Sequence, residues 1–203
     1  TLRPTEYLYA ASIDTSAIQR KLGTDTPQSS LIITPSATQS IMFVAGLLGR
    51  LGIERTAVLS PTYFSTHHAL ASLGTQPKRI FLERVDGAHA FPSGVLLASQ
   101  VGAAWITDPV FCCGTSLADE SLGELVAFAN DGGLVVIDAA LAPPGKGLIS
   151  RLSHANCIWI FSPHKYIGFN AHKFSAIQCS DQFAEYFLRW SDIFYGGLSR
   201  SNV

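Results

Sequence analysis

The sequence predicts an α/β fold, a three-layer α/β/α sandwich built on a mainly parallel sheet of about seven strands. Short apolar runs rich in Val, Ile and Phe recur along the chain, and stretches with helical periodicity lie between several of them. This alternation is typical of parallel strands covered by helices on both faces. The predicted strands are residues 31–34, 56–60, 79–83, 103–107, 134–138, 156–161 and 173–179.

Three helices are predicted from the spacing of their apolar residues. One is a short helix at Ser16–Leu22, and the other two present apolar faces at helical intervals. These faces are formed by Ile41, Val44, Ala45 and Leu48, and by Leu122, Leu125, Val126 and Ala129.

The composition fits one sizeable domain that binds small molecules or another protein. The chain has 203 residues, of which 47% are apolar and 14% charged, so it can bury a large core. The net charge is −1 and the basic residues are scattered, so the sequence shows no basic cluster that would bind nucleic acid or an anionic membrane. No apolar run reaches the roughly 20 residues of a spanning helix. We expect a soluble, cytoplasmic protein with no nucleic-acid partner and no membrane association.

The four cysteines fit neither a disulfide framework nor the spacing of a zinc site. Cys112 and Cys113 are adjacent, whereas Cys157 and Cys179 fall in strand-like runs. We therefore expect buried free thiols in a reducing compartment, and no metal.

Polar residues follow five of the predicted strands. Since ligands of open parallel sheets bind where strands end at their carboxyl edge, these residues are expected to converge on one site. They are the Ser36-Ala37-Thr38 segment, Tyr63, Asp108, Asp138 and the Ser162-Pro-His-Lys165 segment.

The segment Ser162-Pro-His164-Lys165 places a lysine directly after an apolar strand. An arbitrary lysine belongs on a solvated loop, but this segment resembles signatures of the fold-type-I pyridoxal-phosphate enzymes. It is similar to Ser-x-His-Lys-x-x-Gly of the cysteine-desulfurase branch and to Ser-x-x-Lys of aminotransferases. The resemblance implies that Lys165 forms the Schiff base with pyridoxal 5'-phosphate and that Ser162, assisted by His164, binds the phosphate. Lys173 stands where the family usually has a phosphate-binding arginine. Lysine keeps the positive charge but cannot form the two parallel hydrogen bonds that an arginine guanidinium makes.

Asp138 ends the apolar run Val135-Val-Ile-Asp138. A buried aspartate is costly unless it has a partner, although a cap or turn aspartate is an alternative. The family places an aspartate at this point, facing the pyridine nitrogen, so the resemblance implies that Asp138 keeps the cofactor ring protonated.

Two further segments resemble the same family. Ser36, Ala37 and Thr38 stand at a helix start, where they could serve as caps, as a phosphate cradle, or as both; the resemblance implies the family's phosphate cup. Ser60-Pro-Thr-Tyr63, followed by Gly74, is similar to the Pro-Thr-Tyr segment of class I/II aminotransferases. It implies that Tyr63 stacks on the pyridine ring. In the desulfurase branch a histidine from this loop takes that stacking role, and His67 is the candidate for it. A third alternative is that Tyr63 is an ordinary core residue.

The pattern departs from the family at two positions. Phe111 stands where an asparagine usually bonds the cofactor's phenolic oxygen, and Leu141 stands where tyrosine or glutamine is common. Two polar contacts to that oxygen are therefore missing.

The resemblance implies a cofactor-binding large domain at residues 1–203, with the family's N-terminal arm and C-terminal small domain outside this sequence. It implies an aminotransferase acting on an amino acid or related amine, with Lys165 and Asp138 as catalytic residues and a homodimer as the assembly. A lyase, desulfurase or decarboxylase uses the same constellation, and a non-catalytic sensor or assembly module is a further alternative. A nucleotide-binding domain of Rossmann type is disfavoured, because no glycine-rich fingerprint follows the first strand.

Overall fold

The computed structural model describes residues 7–8, 15–22, 29–142, 147–152, 156–165, 174–195 and 198–199. Its strands are β1 (Tyr7–Leu8), β2 (Ser29–Thr34), β3 (Arg55–Ser60), β4 (Gln76–Phe81), β5 (Glu83–Val85), β6 (Ala88–Ala90), β7 (Ala103–Thr107), β8 (Leu134–Asp138), β9 (Cys157–Phe161), β10 (Ser175–Ser180) and β11 (Leu198–Ser199). Its α-helices are α1 (Ser16–Leu22), α2 (Ala37–Arg50), α3 (Phe64–Ser72), α4 (Val95–Ala98), α5 (Asp119–Asn130) and α6 (Asp181–Tyr195). Within the described ranges, 3-10 helices lie at Gly147–Ser150 and Pro163–Lys165.

Seven strands form the central sheet in the order β2-β10-β9-β8-β7-β3-β4. The pairs β3–β4, β3–β7, β7–β8 and β8–β9 are parallel, whereas β10 is antiparallel to both β9 and β2. Because β10 reverses the direction twice, β2 runs the same way as β9. The predicted α/β class and the mainly parallel sheet are therefore confirmed, and one inserted strand is antiparallel.

The sheet is buried on both faces by helices. On one face α2, α3 and α6 cover residues such as Trp105, Val136 and Ile158, and on the other α4 and α5 cover residues such as Ile106 and Val135. Adjacent residues of one strand point to opposite faces. Both kinds must therefore be apolar, which explains the continuous Leu-Val-Val-Ile run of β8.

The third predicted strand is wrong in its bounds. Residues 79–83 were expected to be extended, but β4 begins at Gln76 and ends at Phe81, and Glu83 belongs to a separate antiparallel pair, β5–β6. As the outermost strand, β4 buries only Ile80 well, so it carries little apolar pattern, and Pro77 is tolerated at such an edge.

The expectation of four buried thiols is half wrong. None of the four cysteines forms a disulfide, but Cys112 and Cys113 are exposed while Cys157 and Cys179 are buried in strands. The latter two pack into the core as small apolar residues, whereas the former two lie in a surface turn.

Candidate functional site

The polar segments predicted to converge do lie at one edge of the sheet. Ser36 follows β2, Tyr63 follows β3, Asp108 follows β7, Asp138 ends β8 and Ser162 follows β9, and all five strands run in the same direction. The ends of β7 and β8 are joined directly, since the Asp108 N–H donates to the Asp138 carbonyl at 3.0 Å. The strand topology thus builds a polar carboxyl edge, as expected for a ligand site.

Asp138 is a buried carboxyl group near a lysine. Its side chain is 3% exposed, and Oδ1 accepts a hydrogen bond from the Ala140 N–H at 3.1 Å. Burial raises the pKa of Asp138 from 3.8 to about 6, while the Ala140 N–H and the charge of Lys165 act in the opposite direction. The predicted catalytic pair, Asp138 and Lys165, is therefore close enough in space to interact electrostatically.

Lys165 itself is exposed and ends the 3-10 helix that follows β9. Its N–H donates to the Ser162 carbonyl at 3.0 Å, which fixes the backbone of the loop. The side chain is thereby presented to solvent at the same edge as the Asp138 carboxylate, where an incoming carbonyl or amine compound could reach it.

Ser162 is completely buried, and its Oγ has no hydrogen-bond partner among the described residues. A buried hydroxyl without a partner is costly, and such atoms are uncommon in folded proteins. Ser162 lies after β9 and three residues before Lys165, the position at which the family resemblance implies a phosphate-binding serine.

His164 is also buried, but its ring is used within the fold. Nδ1 donates to the Phe174 carbonyl at 2.7 Å, and the two rings are 6.5 Å apart. The side chain therefore ties the loop after β9 to the chain entering β10. Its predicted role at the phosphate depends on Nε2, and Lys173, the predicted cation, lies outside the described residues.

Ser36 caps α2, as one of the two predicted alternatives requires. Its Oγ accepts from the Gln39 N–H at 3.3 Å and donates to Gln39 Oε1 at 2.9 Å. Ala37 and Thr38 form the first turn, where helical N–H groups have no partner within the helix. These groups and the helix dipole favour an anion in front of α2, so the cap and a cradle are compatible.

A chain of three fully buried hydroxyls lies behind this edge, and sequence reasoning missed it. Thr34 Oγ1 and Ser40 Oγ are 2.6 Å apart, Ser40 donates to Ser175 Oγ at 3.1 Å, and Ser175 donates to the Phe161 carbonyl. The chain joins β2, α2, β10 and β9. It fixes the start of α2 relative to the end of β9, and the signal in the sequence was a hydroxyl at each of these otherwise apolar positions.

Tyr63 is half-buried at the start of α3 and contacts two phenylalanines. Its ring centroid is 4.7 Å from that of Phe64 and 5.9 Å from that of Phe111, the latter edge-on at 66°. Phe111, found where the family pattern has asparagine, therefore lies against the residue predicted to stack on a cofactor ring. His67 lies on α3 with its pKa lowered by burial and by Arg79 and His68.

Asp108 has a structural role, as a buried hydrogen-bond acceptor, that was not predicted from the sequence. It is 2% exposed, and Oδ2 accepts from the Leu148 N–H at 2.6 Å. Burial raises its pKa, and the Leu148 N–H opposes that rise. Gly147 has φ +77° and no room for a side chain, because an added Cβ would lie 2.2 Å from Asp108 Oδ2. Asp108 therefore anchors the 3-10 helix Gly147–Ser150 to the end of β7.

Two kinds of feature are lacking in the described part of the chain. There, no three His, Cys, Asp or Glu side chains are grouped so that they could hold a metal ion. Nor does any helix in those residues combine the length and the apolar character needed to cross a membrane.

The fold is shared with many solved structures. An aspartate aminotransferase from Thermotoga maritima superposes with a TM-score of 0.77 at 14% identity, over 98% of this chain and 57% of that one. An aromatic aminotransferase from Pyrococcus horikoshii gives 0.76 at 17% identity, over 98% and 57%. A pyridoxal-phosphate-bound C–S lyase from Staphylococcus hominis gives 0.74 at 12%, over 98% and 55%.

These similarities establish the large-domain α/β fold, and the chain spans somewhat more than half the length of each of those structures. No protein-family model and no curated protein matches the sequence.

Proposed function

We propose that this chain is the cofactor-binding domain of a pyridoxal-phosphate-dependent enzyme, and that the enzyme is an aminotransferase acting on an amino acid or related amine. The observation that carries the proposal is the proximity of a buried carboxylate, Asp138, to an accessible amine, Lys165, at the carboxyl edge of this fold. Pyridoxal phosphate is the cofactor expected for that edge, because solved proteins of the same fold bind it.

The residues present fit the phosphate of this cofactor. The Ser162 hydroxyl is buried with no partner among the described residues, so a phosphate oxygen would satisfy it. The first turn of α2, with Ala37 and Thr38, offers free N–H groups and the positive end of a helix dipole. Lys173 would add the balancing charge. We propose that Ser36 helps to bind the phosphate by fixing the turn that positions these N–H groups. We propose that His164 does so by holding the loop that carries Ser162.

The residues also fit the ring. Asp138 would accept a hydrogen bond from the pyridine nitrogen and hold a proton there, which suits a buried carboxylate that otherwise has one N–H donor and a nearby cation. Tyr63, half-buried at the same edge, would cover a face of the ring. When bound, the cofactor supplies an electron sink for the α-carbon of the substrate.

Lys165 would carry out the covalent and proton-transfer work of this chain. Its amine is exposed, so it would hold the cofactor covalently through its aldehyde carbon and would move a proton to and from the α-carbon of the substrate.

Phe111 and Leu141 favour a second candidate function. Phe111 packs on Tyr63, and Leu141 is 45% exposed at the turn after β8, so both positions that could bond the phenolic oxygen are apolar. The missing polar contacts motivate two alternatives: a lyase, desulfurase or decarboxylase built on the same lysine and aspartate, and a module that binds the cofactor without turnover. Release of ammonia from an amino acid, rather than retention of the amino group on the cofactor, would identify the eliminating enzyme.

We infer that this chain forms a homodimer and that residues 1–203 are a single cofactor-binding domain. We also infer a cytoplasmic location, which suits four cysteines that form no disulfide.

The cofactor proposal is tested by absorbance and by borohydride fixation. Purified protein mixed with pyridoxal phosphate should turn yellow, and borohydride followed by peptide mass spectrometry should place the label on Lys165. Lys165→Ala should lose the covalent label, whereas Lys78→Ala, which removes another exposed lysine from β4, should keep it. Absence of binding, or a label that persists elsewhere in Lys165→Ala, would contradict the assignment.

A further inference from the structure

Cys112 and Cys113 are two exposed thiols on consecutive residues. They lie in the turn after β7, one residue beyond Phe111, and so stand beside the proposed cofactor site. Neither is needed for the core, in contrast to Cys157 and Cys179, which are each 2% exposed inside strands. The chemistry of these two thiols does not depend on the proposed cofactor.

The turn that carries the two thiols is closed tightly by backbone hydrogen bonds. The N–H groups of Cys113 and Gly114 both donate to the Val110 carbonyl, at 3.0 and 3.1 Å, and the Val110 N–H donates to the Thr115 carbonyl at 2.8 Å. Cys112 has φ +61°, a left-handed backbone conformation that residues other than glycine rarely adopt. The chain on either side of the thiols is therefore fixed, and their relative motion is restricted.

We propose that Cys112 and Cys113 form a reversible oxidation site, a vicinal dithiol that closes to a disulfide on reaction with a low-molecular-weight disulfide. Consecutive Cα atoms are about 3.8 Å apart across a trans peptide, shorter than the roughly 4.4–6.8 Å that most disulfides span. The bond is therefore strained, and strained disulfides are readily reduced. The site opens again when reductant returns.

The reaction balances as a double thiol–disulfide exchange. One cysteine thiolate attacks a sulfur of the reagent, forms a mixed disulfide and releases the first small thiol. The second cysteine attacks the protein sulfur of that mixed disulfide, which forms the Cys112–Cys113 bond and releases the second small thiol. Two electrons pass from the cysteines to the reagent, and the two thiol protons end on the released thiols.

Formation of the Cys112–Cys113 disulfide would change the packing around Tyr63, because Phe111 links the two. A ring that contains the Cys112–Cys113 peptide must change the torsions of both residues, and Phe111 is bonded directly to Cys112. The ring of Phe111 lies 5.9 Å from that of Tyr63, so its displacement changes the packing of Tyr63. Oxidation of the turn would thus alter the wall of the proposed site.

The chemistry is tested with oxidised glutathione and peptide mapping. In the wild type, one peptide that contains both cysteines should lose two hydrogens and carry no glutathione, and a monothiol should restore it. Cys112→Ser and Cys113→Ser should each stop at a glutathione adduct on the remaining cysteine. Phenylarsine oxide, which needs two neighbouring thiols, should bind the wild type one to one and bind neither serine variant tightly. Cys157→Ser is the matched control, because it leaves the exposed pair intact.

The link to Tyr63 is tested by NMR on protein with ring-labelled tyrosine, with the Tyr63 signal assigned from Tyr63→Phe. Oxidation should shift that signal in the wild type and leave it unmoved in Cys113→Ser, and Phe111→Ala should reduce the shift. A wild-type protein that retains glutathione, or that links two chains instead, overturns the oxidation site. Closure without a shift at Tyr63 overturns the link to the proposed site.

Discussion

Asp138 and Lys165 form an unequal pair, with a carboxyl group that is 3% exposed and an amine that lies at the surface. The amine lowers the pKa of Asp138, but burial outweighs it, and the pKa settles at about 6. Above that pH the fold contains a buried negative charge that is only partly compensated. Such a charge reduces stability, and proteins retain it chiefly where it serves a ligand.

Replacing Asp138 by Asn should stabilise the cofactor-free protein at neutral pH. The carboxyl pKa is raised on folding from 3.8 to about 6, so the wild type loses stability as pH rises from about 4 to about 6 and no more above that. A shift of this size corresponds to about 3 kcal/mol. Asn keeps an oxygen for the Ala140 N–H. Urea unfolding of both proteins should show a difference at pH 7.5 that disappears near pH 4.

Added pyridoxal phosphate should stabilise the wild type more than it stabilises Asp138→Asn. A protonated ring nitrogen would compensate the Asp138 charge but not the asparagine amide, so the cofactor should raise the unfolding midpoint of the wild type more than that of Asp138→Asn. An equal rise in both proteins would argue against contact between Asp138 and the ring, while leaving the stability prediction intact.

Replacing Lys165 by Met should raise the pKa of Asp138 above about 6, since the nearby cation is lost and the burial remains. The Asp138 carboxyl carbon, followed by NMR in the cofactor-free protein and assigned with Asp138→Asn, would titrate at higher pH. Lys78→Met removes a charge that does not act on Asp138 and should leave the midpoint unchanged. An unmoved midpoint in Lys165→Met would mean that the two side chains do not interact.

Much of the sheet could be predicted because its strands are buried on both faces. The continuous apolar runs of β3, β7, β8 and β9 left few alternatives, and parallel strands bring their carboxyl ends to one edge. The outer strand β4 was misplaced because burial, which generates the pattern, is weak there. The amphipathic α6 was missed, although Phe183, Tyr186, Phe187 and Trp190 recur at the i, i+3, i+4, i+7 spacing of one helix face.

The sequence predicted that polar segments would meet at one edge of the sheet, but it did not predict contacts that form only in three dimensions. Tyr63 and Phe111 are distant in sequence, and so are Ser40 and Ser175, so no local pattern pairs them. The bond from the Leu148 N–H to Asp108 also needs a left-handed Gly147, which reads in sequence as an ordinary loop glycine.

Gly147→Ala should destabilise the protein by several kcal/mol. The new methyl group would meet Asp108 Oδ2 at 2.2 Å, and φ +77° is strained for alanine, at a cost of about 1–3 kcal/mol for the backbone alone. Gly123→Ala is the control, because the added Cβ meets nothing within 4 Å inside α5. It should stabilise by about 0.5–1 kcal/mol. Urea unfolding measures both, and equal stability of Gly147→Ala and wild type would show that the loop relaxes freely.

Ser162→Ala and Ser175→Ala form a matched pair, since both serines are 0% exposed at neighbouring strand ends. Of the two hydroxyls, only that of Ser175 is hydrogen-bonded among the described residues. Ser175→Ala leaves Ser40 and the Phe161 carbonyl short of a partner and should cost about 1–3 kcal/mol. Ser162→Ala removes a hydroxyl that has no partner among the described residues, so the cofactor-free protein should be equally or more stable.

Pyridoxal phosphate should nevertheless bind Ser162→Ala more weakly than the wild type. The loss of one hydrogen bond to a charged group costs about 1.5–3 kcal/mol, or roughly tenfold to a hundredfold in Kd. Urea unfolding without cofactor and absorbance titration with it separate the two effects. If Ser162→Ala were the less stable protein and bound the cofactor as tightly as the wild type, Ser162 would be a structural residue and the phosphate would have to be held elsewhere.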